Sequence, residues 1–196
     1  MDEIVKQAMA KWPNVPHCYG WLALDARGHW RMRDERAQQL KLPGDKLSNP
    51  ALVGFINRNY LADARGCWYF QNGPQRVYVA LETTPFVART DPEAGLLLHT
   101  GEPAGPLDWA GLTEIGEVLV RAGGRLAQID DRDVASLLGL LRLEGAPLAD
   151  DGLLDWLAAP RGRLQLTVAG QTLEVEALER ASLPARFGYV QHPQPA

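Results

Sequence analysis

Histidines and cysteines are the first side chains to test for chemistry in this 196-residue chain. His17 adjoins Cys18, and Cys67 and His99 could complete a set, because zinc accepts mixed nitrogen and sulfur ligands. Their spacing fits no ligand pattern and no Cys-x-x-Cys occurs, so neither a metal site nor a cofactor is expected. Asp130, Asp131 and Asp133 offer oxygens that a hard cation favours. They also precede an apolar run, where aspartates cap exposed amides and suit the helix dipole; capping is the reading adopted. The phosphate loop Gly-x-x-x-x-Gly-Lys-Ser/Thr, the His-Glu-x-x-His helix and the Gly-x-Ser-x-Gly elbow are all missing. Ser48, Ser136 and Ser182 sit near helices or turns, which speaks against a serine nucleophile.

Arginine and tyrosine carry the better signal. Arg65 stands before Gly66, as Arg161 stands before Gly162. Arg-Gly in a tight turn is commonly structural, yet a guanidinium can grip an anion with its forked donors. Arg76 and Arg89 lie on neighbouring extended segments. If they converge with Arg65 beside Tyr69 and Tyr78, a small anionic ligand has a site, so Arg65, Tyr69, Arg76, Tyr78 and Arg89 are the candidate ligand-binding residues.

The elements that must position these residues are mostly hairpins. Leu22–Leu24 and Trp30–Met32 flank a turn at Gly28, and Cys67–Gln71 and Arg76–Glu82 flank Asn72-Gly73-Pro74. Residues 2–12 read as a helix capped by Asp2, whose apolar stripe should pack across the body of the fold. Residues 34–48 read as irregular. Ser48 or Asn49 caps a helix with Pro50 in its first turn. Residues 85–89 and 95–99 are extended, and residues 101–109 form a Gly- and Pro-rich linker. A hairpin follows over residues 116–129. Asp131 or Asp133 then caps a helix reaching Leu141, and Asp150 or Asp151 caps another through Leu157. Leu164–Val168 and Leu173–Ala177 make the last hairpin, before a short strand at residues 188–190.

Gly20–Asp34 can be laid on Gly116–Asp130, and Arg65-Gly66 on Arg161-Gly162, at one offset of 96. The chain therefore reads as α+β, with two tandem repeats of antiparallel β-hairpins packed with short helices. The boundaries are a lead-in over residues 1–19, a first repeat over 20–105 and a second over 106–196. The last hairpin of the second copy has one wet face. In the first copy the equivalent positions are Cys67, Tyr69, Gln71, Tyr78 and Ala80, an aromatic and nearly uncharged face that something should cover. Trp21 breaks the inward register of Leu22 and Leu24 and is expected to be exposed.

Composition narrows the function classes. Hydrophobic residues make up 46 % and charged residues 22 %, ordinary for a globular protein. A net charge of −4 gives the whole molecule no attraction to nucleic acid or anionic lipid. No apolar run is long enough to span a membrane, and Met1–Gln7 lacks a signal-peptide layout, so a cytoplasmic location is expected.

With these motifs placed, the chain resembles a bacterial family of unknown function whose structures show two repeated α+β motifs. The resemblance rests on residues 24–30, Phe55–Leu61 with Gly66–Phe70, Val77–Glu82, and Thr84-Pro85-Phe86-Val87. In the second half it rests on Val118–Ala127 leading to Arg132-Asp133-Val134. Loops 34–48 and 91–113 depart from the family pattern. The resemblance implies a role in signalling or ligand sensing and supplies no catalytic residues. The expected function is a non-enzymatic ligand-binding or regulatory module, with a small anionic ligand or a protein partner. The alternatives are an enzyme with an unfamiliar site assembled from Asp, His and Arg residues, and a homodimer joined through the aromatic face.

Overall fold

The computed structural model describes residues 1–148 and 151–195, so the cap considered at Asp150 lies outside the described residues. The fold is α+β, with two mixed sheets and, among the described residues, six short α-helices. Two compact units divide the chain. One comprises Met1–Pro85 with Phe187–Ala196, the other Phe86–Arg186.

The first unit runs α1 (Glu3–Lys11), β1 (Cys18–Leu24), β2 (Trp30–Met32), α2 (Glu35–Gln39), β3 (Asp45–Lys46), α3 (Pro50–Arg58), β4 (Tyr60–Ala62), β5 (Trp68–Asn72) and β6 (Gln75–Leu81). The strands lie in the order β3-β2-β1-β6-β5-β4, and only β1 and β6 run parallel. Two nearly identical turns shape this sheet: Asp25-Ala26-Arg27-Gly28-His29-Trp30 and Asp63-Ala64-Arg65-Gly66-Cys67-Trp68. In each, the aspartate folds back on its own backbone, as short acceptors do in turns. Asp25 Oδ1 accepts from the Arg27 and His29 amides at 3.0 and 2.8 Å. Asp63 Oδ1 accepts from the Arg65 and Cys67 amides at 2.9 and 3.0 Å.

One face of the sheet is core. Leu22, Leu24, Val79 and Leu81 are fully buried there with Ile56 of α3. Asn49 starts that helix by accepting from the amides of Ala51 and Leu52 at 3.0 and 3.1 Å, with Pro50 in the first turn. Phe55 meets Phe70 edge-on at 5.3 Å, and Trp30 meets Tyr60 edge-on at 5.0 Å.

Three expectations change in this unit. Helix α1 does not bury its stripe: Val5 is its buried residue, while Ile4 and Trp12 are 72 % and 51 % exposed. Asp2 does not cap it through its side chain, which pairs instead with Arg58 at 3.2 Å. The irregular segment contains α2, capped by Asp34 at 2.7 Å from the Ala37 amide. That helix ends with Lys41 at φ 53°, the Leu42 amide bonding to Ala37 O at 2.8 Å and the Lys41 amide to Gln38 O at 3.3 Å. This paired closure is the one that usually carries glycine at the left-handed position.

The second unit runs β7 (Phe86–Asp91), β8 (Gly95–Leu98), β9 (Trp109–Thr113), β10 (Val118–Ala122), β11 (Arg125–Ile129), α4 (Asp131–Leu138), β12 (Leu141–Leu143), β13 (Ala146–Pro147), α5 (Gly152–Ala158), β14 (Leu164–Val168) and β15 (Gln171–Leu178). The chain then passes through a 3-10 turn (Arg180–Ser182) into α6 (Leu183–Phe187). Nine strands form one sheet, in the order β13-β12-β14-β15-β9-β10-β11-β7-β8. Its central strand β9 begins inside the segment expected to be linker. Gly111 leaves room there for the Trp109 ring, which would lie 2.3 Å from a Cβ, so a residue that reads as a breaker is part of a strand.

Helix caps also differ here. Asp130, one residue earlier than expected, caps α4 through the Arg132 amide at 3.1 Å. Leu141 belongs to β12 rather than to α4 and pairs with Leu166. Asp151 makes no side-chain capping bond to α5.

The offset of 96 lays β5 and β6 on β14 and β15, but at its first anchor it sets unlike hairpins against each other. β1 and β2 close through the five-residue aspartate turn, and β1 continues the sheet beside β6. β10 and β11 close through the two glycines 123 and 124, and β10 lies between β9 and β11. In strand order, β2-β1-β6-β5-β4 matches β10-β9-β15-β14-β12 instead, with β1 parallel to β6 as β9 is to β15. The β9–β10 turn also repeats the backbone pattern of the β1–β2 turn. Thr113 N–H donates to Glu117 O at 3.0 Å as Asp25 N–H donates to His29 O at 3.0 Å.

Candidate functional site

The second face of the first-unit sheet carries the expected aromatic residues. Cross-strand pairing sets Tyr69 opposite Tyr78, Ala23 opposite Ala80, and Ala23 opposite Arg31. Between Cys18 and Leu22 the register with β6 slips, which places Tyr19 against Tyr78 and extrudes Trp21, 39 % exposed. Gly20 sits at this irregularity with φ 80°, and a Cβ there would meet the Gln38 side chain at 2.5 Å.

Half of this face is packed. Cys67, Tyr69 and Tyr78 are buried, with Tyr19, Leu61 and Val190 against them. The Tyr19 and Tyr78 rings stack 4.6 Å apart, 6° from parallel. The Arg76 guanidinium lies 4.7 Å from the centre of the Tyr69 ring, and that of Arg65 lies 5.8 Å from the Tyr78 ring. Cations over aromatic faces account for part of the cover this face needs.

The hydroxyl of Tyr78 donates to Asp63 Oδ2 at 3.0 Å, and Arg65 Nε approaches the same oxygen at 3.2 Å. Burial pushes the Tyr78 hydroxyl up, and Arg76 opposes this without reversing it, so the group stays protonated at neutral pH. Burial alone would raise Asp63. Hydrogen bonds from the Cys67 amide, the Tyr78 hydroxyl and Arg65 outweigh it and hold the carboxyl below its ordinary range. Tyr19, Tyr78 and Asp63 all hold Arg65 protonated. Burial raises the thiols of both Cys67 and Cys18, which leaves them protonated and poor nucleophiles.

The other half of the face is open. A cleft of about 800 Å³ lies over β1, β2 and β6, with Ala23 and Ala80 among its lining. Small side chains at this cross-strand pair leave the depth. Tyr19 and Tyr78 line it, as do Arg31, Arg33 and Lys41, and His192, Pro193 and Gln194 complete the lining. Each arginine is anchored through Nε alone: Arg31 to Asp25 Oδ2 at 2.8 Å, Arg33 to Leu42 O at 3.2 Å. Among the described residues their terminal nitrogens meet no protein acceptor. Burial would raise Asp25, but the His29 amide, Arg31 and the Arg27 amide hold it low, so it stays ionised and keeps Arg31 in place.

Of the residues expected to bind ligand, Arg65, Tyr69, Arg76 and Tyr78 cluster on this face. Only Tyr78 of that set lines the cleft. Arg89 belongs to β7 in the second unit and is exposed there. The residues that sequence reasoning passed over are Tyr19, Arg31, Arg33 and Lys41. A signal was available: the Asp-Ala-Arg-Gly-x-Trp hexapeptide occurs twice, 38 residues apart, and Arg31 and Arg33 follow its first copy at a spacing that puts both on one strand face. Asp130 bonds to Arg132 and Asp133 to the Thr90 amide, so the acidic cluster is occupied with its own chain. Among the described residues no group of three or more His, Cys, Asp or Glu could hold a metal, and no helix is long and apolar enough to cross a membrane.

A family model described as protein of unknown function (DUF2946) matches residues 1–194. No curated protein matches the chain. A crystal structure of a DUF1285 family protein from Silicibacter pomeroyi DSS-3 is similar at 16 % identity, covering 89 % of this chain and 94 % of that one, with a TM-score of 0.47.

Proposed function

This chain belongs to that family of unknown function, and from that premise we propose that it is a non-enzymatic module binding a small anionic ligand in the first-unit cleft, with a regulatory or signalling role. The carrying observation is the cleft itself. Its volume suits a small molecule, and it joins an aromatic wall at Tyr19 and Tyr78 to two guanidiniums with open donors. The protonated thiols and the absence of a nucleophile motif favour binding over covalent chemistry.

A thermal-shift screen of anionic metabolites on the intact protein tests this, with Ala80→Leu as the control. The expected result is a ligand that raises the melting temperature of the natural sequence and leaves the filled-cleft variant unmoved. Equal shifts for both proteins, or no shift with any anion, overturn it.

One observation favours the enzyme alternative. His29 Nδ1 lies 3.3 Å from Oδ2 of Asp25, a cleft residue, and such a pair can move a proton. Turnover of a screened ligand that is lost in His29→Gln, with binding retained, would establish it.

We also propose that the two units descend from one duplicated motif, in the strand correspondence of β2-β1-β6-β5-β4 with β10-β9-β15-β14-β12.

A further inference from the structure

We infer that the ligand of this cleft is a small-molecule phosphate monoester whose phosphate is held by Arg31, Arg33 and Lys41. The inference rests on the reading of the cleft as a ligand site and goes further by naming the chemistry.

Three features of the cleft select phosphate over carboxylate. First, Arg31 in β2 and Arg33 just beyond its end are two residues apart and both line the cleft, each held through Nε, which leaves both terminal nitrogens of each open. A planar carboxylate pairs with one fork at a time, whereas a tetrahedral phosphate presents oxygens in more than one plane and can take both. Second, charge is left over. Asp25 is committed to Arg31 and to the Arg27 and His29 amides, and Glu82 accepts from the Ala26 amide at 3.0 Å. Arg31, Arg33 and Lys41 outnumber the carboxylates of Asp25 and Glu82 in the lining, and that excess attracts a dianion more strongly than a monoanion.

Third, Lys41 stands in the left-handed region at φ 53°, at the helix-closing position where glycine is the least strained residue. A lysine is held in that backbone conformation where it lines the cleft, without a carboxylate partner among the described residues. Strain of this kind at a cleft points to a side chain retained for what it contacts. The tyrosine wall beside the forks favours an aromatic or otherwise planar body on the phosphate.

Calorimetric titration of the intact protein with phenyl phosphate and with benzoate tests the inference. Phenyl phosphate is expected to bind at least about tenfold more tightly than benzoate. Arg33→Lys keeps the charge but loses the fork, and is expected to weaken phenyl phosphate by about tenfold while leaving benzoate within about threefold. Lys41→Gly is expected to weaken phenyl phosphate without lowering the melting temperature, an outcome that a purely structural lysine does not give. Equal affinity for the two probes, or indifference of phenyl phosphate to both variants, overturns the phosphate assignment. If a non-phosphate anion binds and is blocked by Ala80→Leu, the cleft stands as a ligand site while this inference falls. If nothing binds, both fall.

Discussion

Asp63 and Tyr78, fifteen residues apart, are joined by a 3.0 Å hydrogen bond that ties the β4–β5 turn to the middle of β6. The same carboxylate organises its own turn, so one side chain serves local and tertiary structure together. Because Asp63 is held below its ordinary range in the fold, the unfolded chain takes up a proton first as the solution is acidified. Its stabilisation is therefore complete above the unfolded pKa and is lost as pH falls through the folded one. Asp63→Asn is expected to cost about 1–2 kcal/mol at neutral pH. The gap from the natural sequence should shrink toward about pH 3, as denaturation midpoints measured at both pH values will show.

The twin hexapeptides end in tryptophans that are not equivalent. Trp30 is 1 % exposed and donates from Nε1 to Asn57 Oδ1 at 2.7 Å, whereas Trp68 is half-buried. Trp30→Ala should cost about 3–5 kcal/mol. Trp68→Ala should cost about 1–2 kcal/mol, because less surface returns to water. Urea unfolding of the two variants measures the difference. A larger loss at Trp68 would contradict the packing described.

Gly66 combines φ 77° with a position where a Cβ would stand 2.2 Å from the Gly188 carbonyl oxygen. Its own carbonyl accepts from the Val190 amide at 3.0 Å. Gly66→Ala should lose about 3 kcal/mol or more, since backbone strain and a backbone clash act together. Residues 188–195 should become the first site of proteolytic cleavage, readable by mass spectrometry of a limited digest.

Lys41→Gly should stabilise the unliganded protein by about 0.5–1 kcal/mol, because glycine relieves the left-handed strain and loses only part of that gain to unfolded-chain entropy. For a chain of this size, that corresponds to a rise of roughly 1–4 °C in melting temperature. A fall of similar size would show that the lysine side chain supports the fold.

Much of the architecture was legible because its signals are local. The Asn49-Pro50 start, the paired turns and the alternating strands of the last hairpin each follow from a few adjacent residues. The site was legible only in part. Tyr69, Tyr78, Arg65 and Arg76 belong to neighbouring strands, so alternation alone brings them to one face. The repeated hexapeptide marks the strand that carries Arg31, but the cleft that gathers Arg31, Arg33 and Lys41 arises from the β1–β6 parallel pairing and the closure of α2, which adjacent residues do not state. The β9 strand stayed hidden because Gly111 looks like a breaker until the Trp109 ring that excludes a Cβ is in view. Helix α1 misled in the opposite direction, since an apolar stripe states that a face could be buried and not that it is.

The first unit is interrupted in sequence by the whole of the second. Leu81 N–H bonds to Gln191 O and Tyr189 Oη to Thr83 O, so β6 and the Thr83 carbonyl find these partners only beyond the second unit, in residues 189–191. On a ribosome, residues 86–186 can complete their sheet while the earlier-made unit still waits for its closing segment. The cleft, bordered by His192–Gln194, would then form after the second unit, so a ligand could first be held only once that later segment had docked.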